Sequence, residues 1–386
     1  MQRAFNRPFA VVFLHDLADM WRVIQCIHLL HALTEGVGGI FRQLAGQVGK
    51  GSLDVRNLPV QCLYSAVSIN EWRHSSVLAG LLRPGNPSAH STGCCCRIGR
   101  MPVHYDLHSH SRASDGTLSP AELVTAAHAG GVNVLALTDH DTTDGLAEAT
   151  RVAHQLGLQL VPGVEISVSW QSQTIHVLGL GIDSASELLQ DGLSGLREFR
   201  NWRAEEIGRR LAKAGIPGCH EGACKQASGS IVGRTHFAHH LVAEGHAKSV
   251  RQVFKRFLVN NKPGYVSGQW ASLEDALRWI DTAGGLAVVA HPARYRMTAS
   301  KLRRFLAEFQ ECGGAGMEVI SGSHSRDNVT AMAALCRTRN MLASCGSDYH
   351  GPENPWIKLG QLPELPTGCP PVWESDRWPV NRTTVQ

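Results

Sequence analysis

From residue 101 onward, short apolar runs alternate with longer stretches in which apolar residues recur every three or four positions. The short runs predict β-strands, and the longer pattern predicts α-helices. The predicted strands cover residues 103–107, 133–138, 158–161, 166–170, 174–181, 286–290, 316–320 and 342–345. The predicted helices cover residues 143–156, 187–214, 273–283, 300–312 and 327–340, and a further helix begins at residue 119. Strands and helices that take turns along a chain indicate an α/β fold.

The order of these elements predicts a closed or nearly closed β/α barrel, with a doubly wound open sheet as the alternative. Residues 166–170 and 174–181 are predicted to pair as neighbouring strands around a polar turn. Residues 217–272 break the alternation and are predicted to form a helical lobe inserted into the barrel. We therefore predict one domain over residues 101–386 that contains this insertion.

Residues 1–100 lack sustained periodicity, and residues 83–88 hold two prolines and a glycine within four positions, which no regular element tolerates in its interior. The pattern changes abruptly at Met101. We interpret residues 1–100 as a poorly ordered extension, translated from a start earlier than the natural one. The alternative is a real accessory module.

The net charge of +4 is distributed unevenly. The first hundred residues hold ten Lys and Arg but only five Asp and Glu, so they account for the net positive charge of the chain. In the remainder, residues 197–304 carry nineteen Lys and Arg but only eight Asp and Glu. Such an excess suits an anionic partner such as nucleotide or RNA phosphate, and a solvated helical face is the alternative.

Composition narrows the class of protein further. The chain has eleven cysteines but no Cys-x-x-Cys pair, and the run at residues 94–96 is too crowded for a zinc knuckle, so free thiols are expected. No stretch reaches the roughly 18 uncharged apolar residues that a membrane span needs. We expect a cytoplasmic protein without a membrane partner, and its oligomeric state is not specified by the sequence.

Histidines and carboxylates recur where the predicted strands end. Because side chains alternate along a strand, His108 and His110 point the same way and can bind one cation together. The carboxyl ends of the strands of a β/α barrel share one rim, so residues distant in sequence converge there. Nine candidate metal ligands are predicted to meet in one pocket: His108, His110, Asp115, His140, Glu165, His176, His291, Asp348 and His350.

Six imidazoles and three carboxylates suit Mn²⁺, Fe²⁺ or Zn²⁺ better than Ca²⁺ or Mg²⁺, which prefer oxygen ligands. Nine ligands are too many for one ion, so two or three ions bridged by a carboxylate are expected. Two of the nine candidate ligands have an alternative structural role. His176 can instead cap a strand, and Asp115 can form an Asx turn before Gly116.

Several of these residues stand in ordered motifs that resemble those of PHP-domain phosphoesterases. The motifs are residues 108–110 (HSH), 138–140 (TDH), 163–165 (GVE), 290–292 (AHP) and 347–350 (SDYH), and the match extends over about residues 103–350. Within that family, the chain is similar to the 3′,5′-nucleoside bisphosphate phosphatases and the RNase AM type of 5′-3′ exoribonuclease. Further matching stretches are residues 164–170, 233–238, 262–266 and 321–325.

The resemblance implies a distorted (β/α)₇ barrel with a small helical insertion. It also implies how the ligands are divided among the metal ions, and we expect these ions to be Mn²⁺. By resemblance, His108, His110 and Asp348 hold one ion. Asp115, His140 and His350 hold a second ion, and His176 and His291 hold a third, with Glu165 as the bridge. A hydroxide activated by the ions would attack phosphorus in line, so no protein side chain is needed as the nucleophile.

The resemblance also implies substrate contacts from the basic lobe. Arg234 and His236 would face the substrate phosphate, and Lys262 and Tyr265 are further candidates. We predict a phosphoesterase acting on nucleotides or short RNA, without DNA-specific recognition. A histidinol-phosphate-type phosphatase and a non-catalytic metal-binding module are the alternatives.

Overall fold

The computed structural model describes residues 103–379 apart from residues 228 and 230, so the interpretation of residues 1–100 lies outside the described residues. The strands in this part of the chain are Tyr105–Asp106 (β1), Val134–Leu137 (β2), Gln159–Trp170 (β3), Gln173–Leu180 (β4), Leu286–Val289 (β5), Gly316–Ser321 (β6) and Leu342–Gly346 (β7). The α-helices are Pro120–Ala129 (α1), Leu146–Leu156 (α2), Glu187–Lys213 (α3), Cys219–Gln226 (α4), Arg234–Ala243 (α5), Val250–Val253 (α6), Leu273–Thr282 (α7), Ala299–Glu311 (α8) and Arg326–Arg339 (α9). A π-helical turn covers Phe254–Leu258, and short 3₁₀ turns cover Pro292–Arg294 and Val372–Glu374.

The seven strands form one sheet in which sequence neighbours are also spatial neighbours. Strands β1, β2 and β3 are parallel, β4 is antiparallel to both β3 and β5, and β5, β6 and β7 are parallel again. The sheet closes on itself, because Leu107 N donates to Cys345 O at 2.9 Å and Asp348 N donates to His108 O at 2.9 Å. This closure confirms the distorted (β/α)₇ barrel and excludes the open sheet.

Two strand boundaries differ from the prediction. Strand β3 runs unbroken through residues 162–165, which were predicted to separate two strands. Pro162 is tolerated because pairing with β2 ends there, opposite Leu137, and Glu165 is buried because its side chain points into the site described below. Strand β1 has only two residues, and the chain beyond it is held instead by bonds to β7.

Local sequence signals account for the ends of the first helices. The Ser119 hydroxyl accepts a hydrogen bond from Glu122 N at 3.2 Å, and the Glu122 carboxylate accepts one from Ser119 N at 2.8 Å. This reciprocal capping box, with Pro120 in the first turn, starts α1 where the sequence predicts it. Helix α2 ends at Gly157, whose φ of 67° is a left-handed conformation that glycine adopts without strain.

Apolar side chains fill the barrel below the rim. Leu178 is fully buried inside the barrel, whereas its neighbour Val177 packs outward under the helices, as alternation along a strand requires. Each fully buried aliphatic side chain contributes roughly 1.5–3 kcal/mol to stability. Five strands or strand ends contribute residues to this apolar interior: Leu107, Ala136, Val161, Leu178 and Val288. The packed interior therefore supports the rim as a rigid platform.

Helix α3 joins the barrel to a small helical lobe between β4 and β5. Its first half packs on the barrel through Leu189 and Leu193. Its second half contributes Ile207 and Leu211 to a separate apolar cluster that includes Phe237 of α5. One continuous helix thus fixes the position of the lobe against the barrel. No helix in residues 103–379, as far as they are described, is both long and apolar enough to cross a membrane.

Closure of the barrel can be tested at Gly346, the last residue of β7. A Cβ atom at this position would lie 2.2 Å from His108 Cβ and 2.7 Å from Glu318 Oε1, so Gly346→Ala is expected to destabilise the protein by about 1–3 kcal/mol. The matched control is Gly195→Ala in α3, where nothing lies within 4 Å of the added methyl group and stability should rise by up to about 1 kcal/mol. Urea unfolding followed by circular dichroism measures both changes. Equal stability of Gly346→Ala and the wild type would contradict the tight closure.

Candidate metal centre

All nine predicted ligand residues lie in one cluster at the carboxyl-terminal rim of the barrel. Most follow the strand ends: His108 and His110 follow β1, His140 follows β2, His291 follows β5, and Asp348 and His350 follow β7. Glu165 and His176 project from the paired strands β3 and β4, and Asp115 lies in the loop before α1. The rim therefore assembles residues that are up to 242 positions apart in sequence.

The carboxylate of Glu165 is fully buried at the centre of this cluster. Oε1 lies 3.0 Å from His176 Nδ1, 3.2 Å from His291 Nε2 and 3.4 Å from His108 Nε2. Oε2 lies 2.8 Å from His140 Nδ1 and 3.4 Å from His110 Nε2. One carboxylate therefore faces imidazoles from five positions, which is the arrangement that a bridging ligand needs.

Two further carboxylates flank Glu165. Asp348 Oδ1 lies 3.3 Å from His110 Nε2 and 3.5 Å from His108 Nε2. Asp115 Oδ1 lies 3.3 Å from His350 Nε2. The donor atoms fall into three overlapping groups, each within 4.8 Å: His110, Asp115, His140 and His350; His108, His110 and Glu165; and His140, Glu165 and His176.

The donor set fits divalent transition metals. Buried polar atoms nearly always have a hydrogen-bond partner, yet several atoms of the cluster have none among the described residues. These atoms are His110 Nδ1, Asp115 Oδ1, His140 Nδ1, Glu165 Oε2 and His291 Nδ1. His140 Nδ1 and Glu165 Oε2 approach to 2.8 Å without hydrogen-bond geometry, as two ligands of one ion do. Mixed imidazole and carboxylate donors suit Zn²⁺, Fe²⁺ and Mn²⁺.

The electrostatics of the cluster show how protons and cations compete for it. Burial raises the pKa of Glu165, but His140 and the other surrounding imidazoles outweigh burial and hold this pKa well below its usual range. Burial lowers the pKa of His350, but Asp115 and Asp348 together outweigh burial and raise this pKa to about 10. Burial, together with His350, lowers the pKa of His110 to about 3. His110 is therefore neutral at pH 7 and has a lone pair available for a cation.

A residue that the sequence reasoning missed, Glu318, orients two of the imidazoles. It is fully buried in β6, 2.9 Å from His108 Nδ1, and its other oxygen accepts a bond from His291 N at 2.5 Å. A carboxylate can only accept from His108 Nδ1–H, so His108 Nε2 is left free to face Glu165. The signal for Glu318 was present in the sequence as a lone charge within the apolar strand 316–321.

Backbone strain is concentrated at the same rim. His291 has a φ of 30° and Asp348 a φ of 55°, conformations that cost non-glycine residues about 1–3 kcal/mol each. The Arg294 guanidinium holds Asp348 through a contact of 2.5 Å to Oδ2, and Glu318 holds the His291 backbone. Surrounding hydrogen bonds therefore hold both side chains in the direction of the cluster.

The loop that carries Asp115 is held by a second buried carboxylate that the sequence reasoning missed. Asp139 Oδ1 accepts from Ser111 N at 2.7 Å and from Ser114 Oγ at 2.6 Å, and Oδ2 accepts from Ser111 Oγ at 2.7 Å. These three bonds fix residues 111–114 against the end of β2. Asp115 is thereby placed beside His140 and His350.

The lobe reaches the cluster through the start of α5. Thr235 Oγ1 donates to Asp115 Oδ2 at 2.9 Å, and Arg234, the preceding residue, is close enough to Asp115 for their charges to interact. Burial and the charge of Arg200 lower the pKa of Arg234, whose guanidinium lies 5.7 Å from the Phe254 ring. A desolvated guanidinium next to the cluster can attract an anion strongly.

The other three predicted substrate residues differ in position. His236 is buried in the first turn of α5, where its Nδ1 accepts from Gly233 N at 3.0 Å. Tyr265 is half-buried and interacts electrostatically with Arg234. Lys262 is exposed on the loop after the π-helical turn, and no contact joins its side chain to the cluster within the described ranges. The structure thus brings Arg234, His236 and Tyr265, but not Lys262, toward one side of the metal centre.

Comparisons with known proteins agree with this architecture. The model of the PHP domain matches residues 106–258. The 3′,5′-nucleoside bisphosphate phosphatase of Chromobacterium violaceum is 48% identical over 272 residues, which are 70% of this chain and 95% of that protein. The 5′-3′ exoribonuclease Rnm of Escherichia coli is 46% identical over 283 residues, which are 73% of this chain and 96% of that protein.

A solved structure gives the same result. It is an amidohydrolase from Chromobacterium violaceum with bound sulfate and no metal, 48% identical, with a TM-score of 0.68 over 70% of this chain and 95% of its own. The chain belongs to the PHP-domain family, which confirms the family that the motifs predicted. The two relatives described above, a nucleoside bisphosphate phosphatase and an exoribonuclease, share almost their whole length with this chain.

Metal uptake is expected to release protons and to strengthen as pH rises from about 6 to about 8.5. The pKa of His350 is raised to about 10, so in the metal-free protein its ring keeps a proton across this range, and a cation has to displace that proton. The concentration of protons that compete with the cation falls as pH rises toward 10, so the apparent metal affinity grows with pH. Calorimetric titration with Mn²⁺ in buffers of different ionisation enthalpy measures the protons released. An affinity that stays constant over the whole range would contradict this assignment.

Removing the negative charge of Glu318 should weaken metal binding. In Glu318→Gln, the amide no longer enforces the His108 tautomer as a carboxylate does, and we expect a loss of about 10–100-fold in metal affinity. The matched control is Glu311→Gln at the exposed end of α8, which should bind metal normally. Metal content after dialysis against defined free Mn²⁺ measures the effect. Normal affinity in Glu318→Gln would rule out its orienting role.

Proposed function

We propose that this protein is a metal-dependent phosphoesterase that hydrolyses phosphate esters of nucleotides, either 3′,5′-nucleoside bisphosphates or the 5′ ends of short RNA. The observation that carries the proposal is the convergence of imidazoles and carboxylates around buried Glu165, beside a basic lobe that contacts the cluster through the bond from Thr235 to Asp115. The relatives named as a nucleoside bisphosphate phosphatase and an exoribonuclease support the substrate class.

In this proposal, the nine rim residues hold two or three divalent ions, with manganese first and iron or zinc as alternatives. His108, His110 and Asp348 form one set, Asp115, His140 and His350 a second, and His176 and His291 a third, with Glu165 shared among them. Bound divalent ions neutralise phosphoryl oxygens, acidify water and stabilise the leaving oxygen. The overlap of the donor groups at Glu165, His110 and His140 supports sharing of ligands between ions.

The side chains of the protein then bind and orient the substrate. Arg234 is proposed to bind a phosphate oxygen, because its guanidinium is desolvated and no carboxylate within the described part of the chain forms an ion pair with it. His236 and Tyr265 are proposed to line the same side, and Lys262 is proposed to contact the substrate farther from the centre. Arg294 keeps Asp348 in position and leaves the other Asp348 oxygen directed at the imidazoles.

We also propose that residues 101–386 form one PHP domain in which residues 217–272 are an insertion, and that the protein acts in the cytoplasm. Helices α4, α5 and α6 with their own apolar cluster support the insertion. All six cysteines that the structure describes are free thiols, which agrees with a reducing compartment.

A screen that measures both released inorganic phosphate and released nucleoside monophosphates tests the proposal. The substrates are a nucleoside 3′,5′-bisphosphate, a 5′-phosphorylated short RNA and histidinol phosphate, each with Mn²⁺, Mg²⁺ or Zn²⁺. With Mn²⁺, we expect inorganic phosphate from the bisphosphate and nucleoside 5′-monophosphates from the RNA. We expect little product from histidinol phosphate, because the basic lobe suits a polyanion. Release from histidinol phosphate alone would support the other phosphatase class. Failure with all substrates and metals would refute the enzymatic function.

Arg234→Ala should raise KM or lower kcat by about 10–100-fold while metal content stays unchanged, since a charge-assisted bond to phosphate is lost. Arg303→Ala is the matched control, because Arg303 lies exposed on α8 and its side chain contacts only Ser300 among the described residues. Steady-state kinetics on the best substrate and metal analysis of the same samples measure both effects. Unchanged kinetics in Arg234→Ala would remove it from the substrate site.

A further inference from the structure

A cavity of about 200 Å³ lies at the carboxyl-terminal ends of β6 and β7. Its lining includes Ser347, which directly precedes Asp348 and whose Oγ donates to His108 O at 3.4 Å. Gly322 N donates to Gly346 O at 3.1 Å and ties the two strand ends together under the cavity. The cavity therefore opens on the same rim as the metal ligands, and none of the nine predicted ligand residues lines it.

One wall of the cavity is Trp356, whose side chain is 84% exposed. A single exposed aromatic residue is ordinary on a protein surface. Here, however, the loop that carries it is anchored: Thr117 Oγ1 donates to Glu353 Oε2 at 3.0 Å, Ile357 N donates to Asn354 O at 3.1 Å, and Leu359 is buried. Within the described ranges, no aromatic ring stacks on this indole. The loop therefore presents a free aromatic face at the mouth of the cavity.

The polar lining adds a cation. Lys358 lines the cavity, and no carboxylate among the described residues pairs with it. The cavity thus combines an aromatic face and a positive charge.

We propose that this cavity binds a nucleobase of the substrate, with the base stacked on Trp356. Nucleobases offer a π-face, and stacking on an aromatic side chain tolerates any base. Pockets for whole drug-sized ligands measure about 300–1,000 Å³, so this smaller cavity suits one ring system. Lys358 at its edge is placed to attract a phosphate attached to the same nucleoside.

This inference rests on the proposed function and deepens it, because it explains how the site distinguishes a nucleotide from another phosphate monoester. The metal centre by itself binds phosphate, which every phosphate ester carries. A base site beside it lowers the KM of nucleotides relative to phosphate esters that lack a base. The kinetic effect therefore belongs to binding of the base and leaves the bond-breaking step unchanged.

The test is Trp356→Ala assayed with adenosine 3′,5′-bisphosphate and with a base-free sugar 3,5-bisphosphate. Loss of stacking should raise KM for the nucleotide about 5–100-fold, keep kcat within about twofold, and leave KM for the base-free analogue unchanged. Trp356→Phe should restore most of the lost affinity. The matched control is Trp202→Ala, which removes another exposed indole that does not line the cavity. Equal changes with both substrates, or no change with either, would overturn the base site.

Calorimetry separates a failure of this inference from a failure of the proposed function. Wild-type protein should bind adenosine 5′-monophosphate more tightly than ribose 5-phosphate, and Trp356→Ala should remove that difference. If the wild type forms no product from any nucleotide or RNA substrate, the proposed function fails, and the titration still reports on the cavity. Equal affinity of the wild type for the two ligands would overturn the base site even if phosphate release is normal.

Discussion

The structure depends on one electrostatic constraint, the burial of the Glu165 carboxylate among imidazoles. A carboxylate removed from water costs several kcal/mol unless charges or hydrogen bonds compensate it. Here the compensation comes from His108, His140, His176 and other rings contributed by separate segments of the chain. The cluster is therefore stable only when the barrel is closed and every strand end is in place.

Closure of the barrel and the strained backbone at the rim both keep the imidazoles around the Glu165 carboxylate. The bonds between the ends of β1 and β7 bring His108 next to Asp348, although 240 positions separate them in sequence. His291 and Asp348 keep left-handed backbone conformations because Glu318 and Arg294 hold them. The free energy stored in these conformations is offset by the apolar barrel interior beneath the rim, which cannot deform without opening voids. The fold thus supplies a rigid frame for ligands whose local conformations are unfavourable.

The lobe and the loop after β7 add side chains to the rim that are not metal ligands. Helix α5 contacts the metal centre through the bond from Thr235 to Asp115, and it carries Arg234 at its first position. On the side of β6 and β7, the anchored loop presents Trp356 and Lys358. The lobe thus adds an arginine near the metal centre, and the loop adds an aromatic side chain and a lysine at the ends of β6 and β7. In the proposed function, these groups would bind the phosphate and the base of a nucleotide.

The sequence by itself determined the alternation of elements, the rim position of most ligands and the family. These features depend on periodicity and on motifs that lie within a few residues, such as residues 108–110 and 347–350. The continuity of β3 through Pro162 and the burial of Glu318 and Asp139 were decided only by the tertiary structure. Whether a charge inside a strand faces solvent or two imidazoles depends on partners far away in the chain, and no local pattern encodes them. The same holds for the cavity beside Trp356, which exists only because a loop after β7 folds back over the end of β6.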